Sequence, residues 1–146
     1  MAVIERELVV DASVEEAFDY IANFESCAEW DPGVAAASRQ GDGPAGVGTR
    51  YDVEVVFNGK RLPMVYEVTE WSRPSRVVLV GTGSTVRGID TIEFVPEGEG
   101  RTRIRYRADL RLRGLLGPVT PMLRKRFEAL GDAAMAGIKV AFAVLV

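Results

Sequence analysis

The chain reads as an α+β fold, an antiparallel sheet packed in two layers against one long C-terminal helix. Three observations predict it. A strand and a capped helix open the chain; turn-punctuated segments with period-two alternation fill residues 49–113; a helical apolar stripe occupies residues 121–143. A length of 146 residues suits one domain, so residues 1–146 are read as a single unit.

Residues 4–10 form the first strand. Ser13-Val14-Glu15-Glu16 is a capping box, in which the serine hydroxyl takes an orphan amide and Glu16 reaches back. The helix after it sets Val14, Ala17, Phe18 and Ile21 on one face. Asn23 is placed to cap a short helix over residues 24–29, which Pro32-Gly33 ends beyond Trp30-Asp31. Residues 34–38 make a short strand, and residues 41–46 a loop inside the domain.

The middle of the chain is the clearest. Tyr51, Val53, Val55 and Phe57 alternate with mostly polar neighbours, and Asn58-Gly59 is a two-residue hairpin signal because both positions need positive φ. The return strand turns Leu62, Met64, Tyr66 and Val68 inward. Strands over 76–80, 86–95 and 101–113 follow. In the last, Ile104, Tyr106, Ala108, Leu110 and Leu112 face one way, and Arg103, Arg105, Arg107, Asp109 and Arg111 the other. Thr120 and Pro121 sit in order as N-cap and first residue of the closing helix, about 34 Å long over 121–143. Its stripe is Leu123, Phe127, Leu130, Ala134, Ile138 and Ala141, with Gly131 and Gly137 beside it. Small residues there leave space under the helix, which predicts a cavity.

Composition narrows the function. With 47% apolar and 27% charged residues the chain is neither disordered nor membrane-spanning, and its apolar close, residues 140–146, is too short to cross a bilayer. A net charge of −3 argues against bulk nucleic-acid binding. No histidine and a single cysteine, Cys27, remove the commonest metal ligands and general base, so no metal and no cofactor are expected. One cysteine and no secretory leader fit a cytoplasmic protein. Oligomeric state stays open.

Eight candidate site residues come from the inward faces: Tyr51, Val53, Met64, Tyr66, Asp90, Tyr106, Phe127 and Ala134; Trp30 and Trp71 read by themselves as packing anchors. The three tyrosines are either core aromatics or phenols that orient a ligand oxygen. Asp90 is the anomaly. If Ile92 and Phe94 point inward, so does Asp90, and a buried carboxylate is costly unless paired or used. The alternatives are a bulge that turns it outward or an arginine that neutralises it. The arginines of the last strand read as a solvated face partnered by Glu93, Glu67 and Glu54. Arg124-Lys125-Arg126 sits at the unfavourable end of the helix dipole, which suits an exposed turn, a phosphorylated ligand or transient contact with an anionic membrane. Gly81-Thr82-Gly83 joins two strands and starts no helix, so it is no dinucleotide loop.

The order of elements, with Trp30-Asp31-Pro32-Gly33-Val34, Val47-Gly48-Thr49-Arg50, Tyr66-Glu67-Val68-Thr69-Glu70-Trp71, Gly88-Ile89-Asp90-Thr91 and Gly100-Arg101-Thr102-Arg103-Ile104, resembles the SRPBCC (START-like) superfamily in its polyketide cyclase/dehydrase-like branch. The resemblance covers essentially the whole chain. It implies a helix-grip fold, a curved antiparallel sheet around the C-terminal helix enclosing an apolar pocket, with Trp30 near its mouth, which makes Trp30 the ninth candidate site residue. Members include lipid carriers, aromatic polyketide cyclases, partner-modulating modules and ring-hydroxylating oxygenases; the last need two histidines, which this chain lacks. The first expectation is therefore binding of a small hydrophobic ligand: a lipid, a polyketide or an aromatic metabolite. The second is a cyclase/dehydrase-type enzyme with Asp90 as catalytic base, and the third a partner-modulating interaction module. Whether the chain is an enzyme stays open.

Overall fold

The structure is a computed structural model that describes residues 2–145. Its strands are β1 (Ala2–Val10), β2 (Val34–Gln40), β3 (Arg50–Phe57), β4 (Lys60–Ser72), β5 (Arg76–Gly83), β6 (Val86–Pro96) and β7 (Thr102–Leu112). Its helices are α1 (Val14–Ala22), the single turn α2 (Cys27–Trp30) and α3 (Arg124–Leu145). All neighbouring strands are antiparallel, in the order β1-β7-β6-β5-β4-β3-β2. Consecutive strands β1 and β2 therefore lie at opposite edges, and α1 and α2 carry the chain between them. Register breaks at Val34/Ala36 and Val68/Glu70 bend the sheet. The curved sheet closes around α3 in a helix-grip architecture.

Local sequence signals account for most boundaries. The Ser13 hydroxyl accepts the Glu16 amide at 3.2 Å and the Ser13 amide donates to Glu16 Oε1 at 3.4 Å, so the capping box forms. Asn58 and Gly59 adopt φ of 53° and 73°, and Phe57 pairs with Lys60 across the hairpin. Phe18 of α1 meets Trp71 and Phe94 edge-on at 5.0 and 5.4 Å, fixing the helix to the sheet. The arginines of β7 do face outward, but Arg103, Arg105 and Arg107 pair with Glu5 and Glu7 of β1, at 2.9–3.5 Å. The expected partners Glu54, Glu67 and Glu93 instead hold Arg61, Arg50 and Arg76.

Three local expectations need correcting. Asn23 makes no side-chain cap; a 3-10 turn, Phe24–Ser26, precedes α2. The last helix does not start at Pro121. Residues Gly114–Leu123 form a 3-10 segment and α3 begins at Arg124. The Thr120 hydroxyl is already engaged, accepting from the Leu112 amide at 3.0 Å and donating to the Gly117 carbonyl at 2.7 Å. Third, Gly137 leaves no space. A Cβ there would lie 1.7 Å from the Trp30 carbonyl oxygen, so this glycine exists for close approach of α3 to α2. Among the described residues, no helix is long and apolar enough to cross a membrane.

The close approach generates a test. Alanine is the better helix former by about 1 kcal/mol, so in a free helix Gly137→Ala would stabilise. Here it should destabilise by about 2–3 kcal/mol, because backbone meets the new methyl. A lowered urea midpoint is the expected readout.

Candidate functional site

Between α3 and the concave sheet lies a cavity of about 120 Å³. The sheet contributes Ile4, Arg6, Val53, Val55, Tyr66, Asp90, Tyr106, Ala108 and Leu110, and α3 contributes Phe127, Leu130, Gly131, Ala134 and Met135. The turn after α2 adds Asp31 and Gly33, the start of β2 adds Val34, and Phe24 adds a ring. The wall is mostly hydrocarbon; its polar groups are few and convergent.

Asp90 stands at the centre of that polar set. Period-two alternation carries it inward with Ile92 and Phe94, and it is 6% exposed. It pairs with Ala108 of β7, which leaves Tyr106 diagonal to it, and the Tyr106 hydroxyl donates to Asp90 Oδ2. Burial pushes Asp90 up to about 7; the Tyr106 hydrogen bond opposes that, and the charges of Asp31 and Asp109 add to it. Burial and the nearby Asp90 charge hold both Tyr66 and Tyr106 well above the ordinary phenol range.

Two further polar groups were not singled out by sequence patterning. Asp31 follows α2 in a turn, where its Oδ1 accepts the Gly33 amide at 2.8 Å. Burial raises it to about 6 against the pull of that amide. Arg6 occupies an inward position of β1 between Ile4 and Leu8, and its guanidinium reaches Asp132 of α3 at 2.6 Å. The cavity thus holds two carboxyls and two phenols, with an arginine in its wall.

Of the nine candidate residues, Val53, Tyr66, Asp90, Tyr106, Phe127 and Ala134 line this cavity. Trp30, Tyr51 and Met64 do not. Trp30 is 1% exposed, its indole N–H donates to Ser26 Oγ at 3.1 Å, and its ring lies edge-on behind Tyr106. Tyr51 is fully buried behind Phe24, and the Met64 side chain packs towards Gly83. Inward alternation does not separate a cavity wall from the layer behind it. Cys27 is buried and its thiol is pushed up, chiefly by burial, so it is held unreactive. Among the described residues, no three His, Cys, Asp or Glu side chains are grouped to hold a metal ion.

The family described as polyketide cyclase / dehydrase and lipid transport matches residues 1–143. The chain belongs to this family. No curated protein sequence matches it. Solved structures share the fold. A START superfamily protein from Mycobacterium smegmatis aligns over 100% of both chains, with TM-score 0.82 and 16% identity. A protein from Thermus thermophilus covers 98% of each chain at TM-score 0.82 and 20% identity. The ZhuI aromatase/cyclase from a Streptomyces species covers 97% of this chain and 93% of its own, at TM-score 0.79 and 14% identity. At such identities the likeness concerns the fold, and the family assignment rests on the sequence match.

Asp90 sets a pH dependence for this family member. Below the ordinary carboxyl value of 3.8 both folded and unfolded chains hold the proton. Between 3.8 and about 7 the unfolded chain has lost it while the native protein keeps it, so stability falls as pH rises. Asp31 acts in the same direction over the window up to about 6. Wild type should lose about 2–4 kcal/mol through Asp90 between about pH 4 and pH 8. Asp90→Asn should flatten that part of the slope and be the more stable protein at the alkaline end. Urea titrations of both proteins across the range give the comparison.

Proposed function

We propose that this protein binds one small, largely apolar molecule of about the size of a single aromatic ring, and holds its hydroxyl or carbonyl at Asp90 and the two phenols. The observation that carries this is the convergence of Asp90, Tyr66, Tyr106 and Asp31 in a cavity whose wall is, apart from Arg6, mostly hydrocarbon. Volume selects the size. Ligand pockets usually run to about 300–1,000 Å³, whereas a dry cavity of about 150 Å³ is filled by benzene. At about 120 Å³ this one suits a ring better than a fatty-acid chain, and a lipid would need α3 to move outward. The reading therefore favours an aromatic or cyclised metabolite over the lipid in the family's description. Protonated Asp90 would donate a hydrogen bond to a ligand carbonyl; ionised, it would accept one from a hydroxyl.

A second reading, an enzyme of the cyclase/dehydrase type, is favoured by the titration range of the two carboxyls. A base that ionises near neutrality is suited to proton transfer. Asp90 would take a proton from carbon between two carbonyls, leaving the electron pair on oxygen as an enolate that a phenol hydroxyl of Tyr66 stabilises. The enolate carbon would then bond to a second carbonyl carbon, whose oxygen would take the proton back from the Asp90 carboxyl and become an alcohol. Loss of water would follow if Asp90 took the remaining proton from the attacking carbon, its electron pair forming the C=C bond, and handed that proton to the hydroxyl as its C–O bond broke.

The experiment combines native mass spectrometry of protein from its own host with thermal shifts against phenol, resorcinol and 1-naphthol. Ala134→Leu should fill the cavity, keep the fold and abolish every ligand-dependent shift. If no molecule co-purifies and no probe separates wild type from Ala134→Leu, the binding reading fails. Asp90→Asn then separates the two readings on any ligand found: loss of turnover with affinity retained supports the enzyme, and equal affinity without turnover in either protein supports the carrier.

A further inference from the structure

The Gly114–Leu123 segment presents more exposed hydrocarbon than the fold requires. Leu115 is 99% exposed, Met122 81%, Leu116 49% and Val119 37%, and Pro118 and Pro121 lie beside them on the surface. Three residues per turn explain the arrangement, because side chains at i and i+3 eclipse in a 3-10 helix. Gly117, Thr120 and Leu123 share the inward line: Thr120 is fully buried, and Leu123 packs with the cluster of Ala2, Ile4 and Phe127. Leu116, Val119 and Met122 share one outward line, and Leu115, Pro118 and Pro121 the other. Two of three faces are therefore apolar and uncovered, with no polar residue on either. Such a continuous patch marks an interaction surface.

Charge identifies the partner. Between Asp109 and Glu128 the chain carries five basic residues, Arg111, Arg113, Arg124, Lys125 and Arg126, and no acid, although the whole chain has net charge −3. All five are exposed, and they flank the apolar segment on both sides; Arg124 shares its charge with Glu128, to which its Nε donates at 2.9 Å, so Arg111, Lys125 and Arg126 carry most of the excess. Arg126 donates to Asn58 Oδ1, and Phe57 stacks on Phe127 at 5.3 Å, so the β3–β4 hairpin adds exposed Lys60 to the same end of the molecule. Apolar side chains ringed by lysine and arginine match an interface where hydrocarbon lies beneath anionic headgroups. A second copy of this chain matches poorly, because a two-fold contact would bring the basic rims together.

We propose that Gly114–Leu123 with its basic flanks docks this protein on the surface of an anionic lipid bilayer. Leu115, Leu116, Val119 and Met122 enter the headgroup–acyl boundary, and Arg124, Lys125 and Lys60 remain at phosphate level. The segment also bears on the cavity: Leu123 packs with Ile4 and Phe127, two residues of its wall. Docking therefore touches the packing that closes that end of the pocket. The inference stands apart from the ligand reading, since binding to a membrane is measured with an empty cavity.

Co-sedimentation tests it, with vesicles of phosphatidylcholine alone or an equimolar mixture with phosphatidylglycerol. Wild type should sediment only with the mixture, and added salt should release it. Leu115→Glu with Met122→Glu should lower the bound fraction about tenfold or more with an unchanged melting curve, and Arg124→Gln with Lys125→Gln should lower it similarly. An environment-sensitive dye on Met122→Cys gives an independent readout, because native Cys27 is buried and escapes labelling. Its emission should shift to the blue on anionic vesicles. No binding by wild type, binding that survives the glutamate pair, or a dye that does not respond would each overturn the proposal. So would a wild-type dimer that the glutamate pair dissociates, which would assign the face to a second copy.

Discussion

The site hangs on the contact between the backbone of α3 and the carbonyl of Trp30. Only a residue without a side chain admits it, and Gly137 supplies that residue. With α3 pressed there, the turn of α2 is fixed, Trp30 sits edge-on against Tyr106, and Tyr106 holds Asp90. The next residue along, Asp31, is delivered to the cavity by the same turn. One backbone contact thus aligns both carboxyls, although neither touches it. A shift of α3 would disturb the hydrogen bond at Asp90 through the indole and phenol rings between them.

Electrostatics divide the sheet into two regimes. On its convex side, pairs such as Arg107–Glu5 and Arg105–Glu7 are well hydrated, and exposed pairs of this kind add about 0–1 kcal/mol each. On its concave side a carboxyl loses water and has no guanidinium against it, so its protonation becomes a property of the fold. The same functional group, a carboxyl, is an ordinary hydrated anion on one face and a raised, buried acid on the other. Alternation along β6 and β7 decides which.

That alternation is why much of the cavity wall, which is the candidate site, could be read from the sequence. Asp90, Tyr66, Tyr106 and Val53 sit on long regular strands where period two assigns a face, and Phe127 and Ala134 repeat at helical spacing. Asp31 escaped because it lies in a turn, where no period operates and an Asx hydrogen bond explains the residue equally well. Arg6 escaped because a charged residue between Ile4 and Leu8 looks like an exception to an apolar face until Asp132 is placed beside it. Tyr51 and Met64 point inward but belong to the layer behind the wall, a matter of depth that face assignment does not address; Trp30, placed near the pocket by resemblance, is the packing anchor that its own residue type suggested. The start of α3 was misplaced for a related reason. Thr120 and Pro121 have the chemistry of a helix start, but a distant partner, the Leu112 amide, claims the hydroxyl. The overall architecture was legible because it depends on element order and on hairpin signals such as Asn58-Gly59.

The pairing of β1 with β7 has a consequence for how the chain acquires its shape. Ala2 lies opposite Leu110 and Val10 opposite Thr102, so the first strand finds its neighbour about a hundred residues later. During synthesis β2 through β6 can zip up in order as neighbouring hairpins, while β1 stays unmated with its apolar face uncovered. Only when β7 leaves the ribosome can the sheet complete, and α3, later still, is needed to cover it. Until then the nascent chain carries an open edge and a bare apolar surface, the interval in which a chaperone would be most useful.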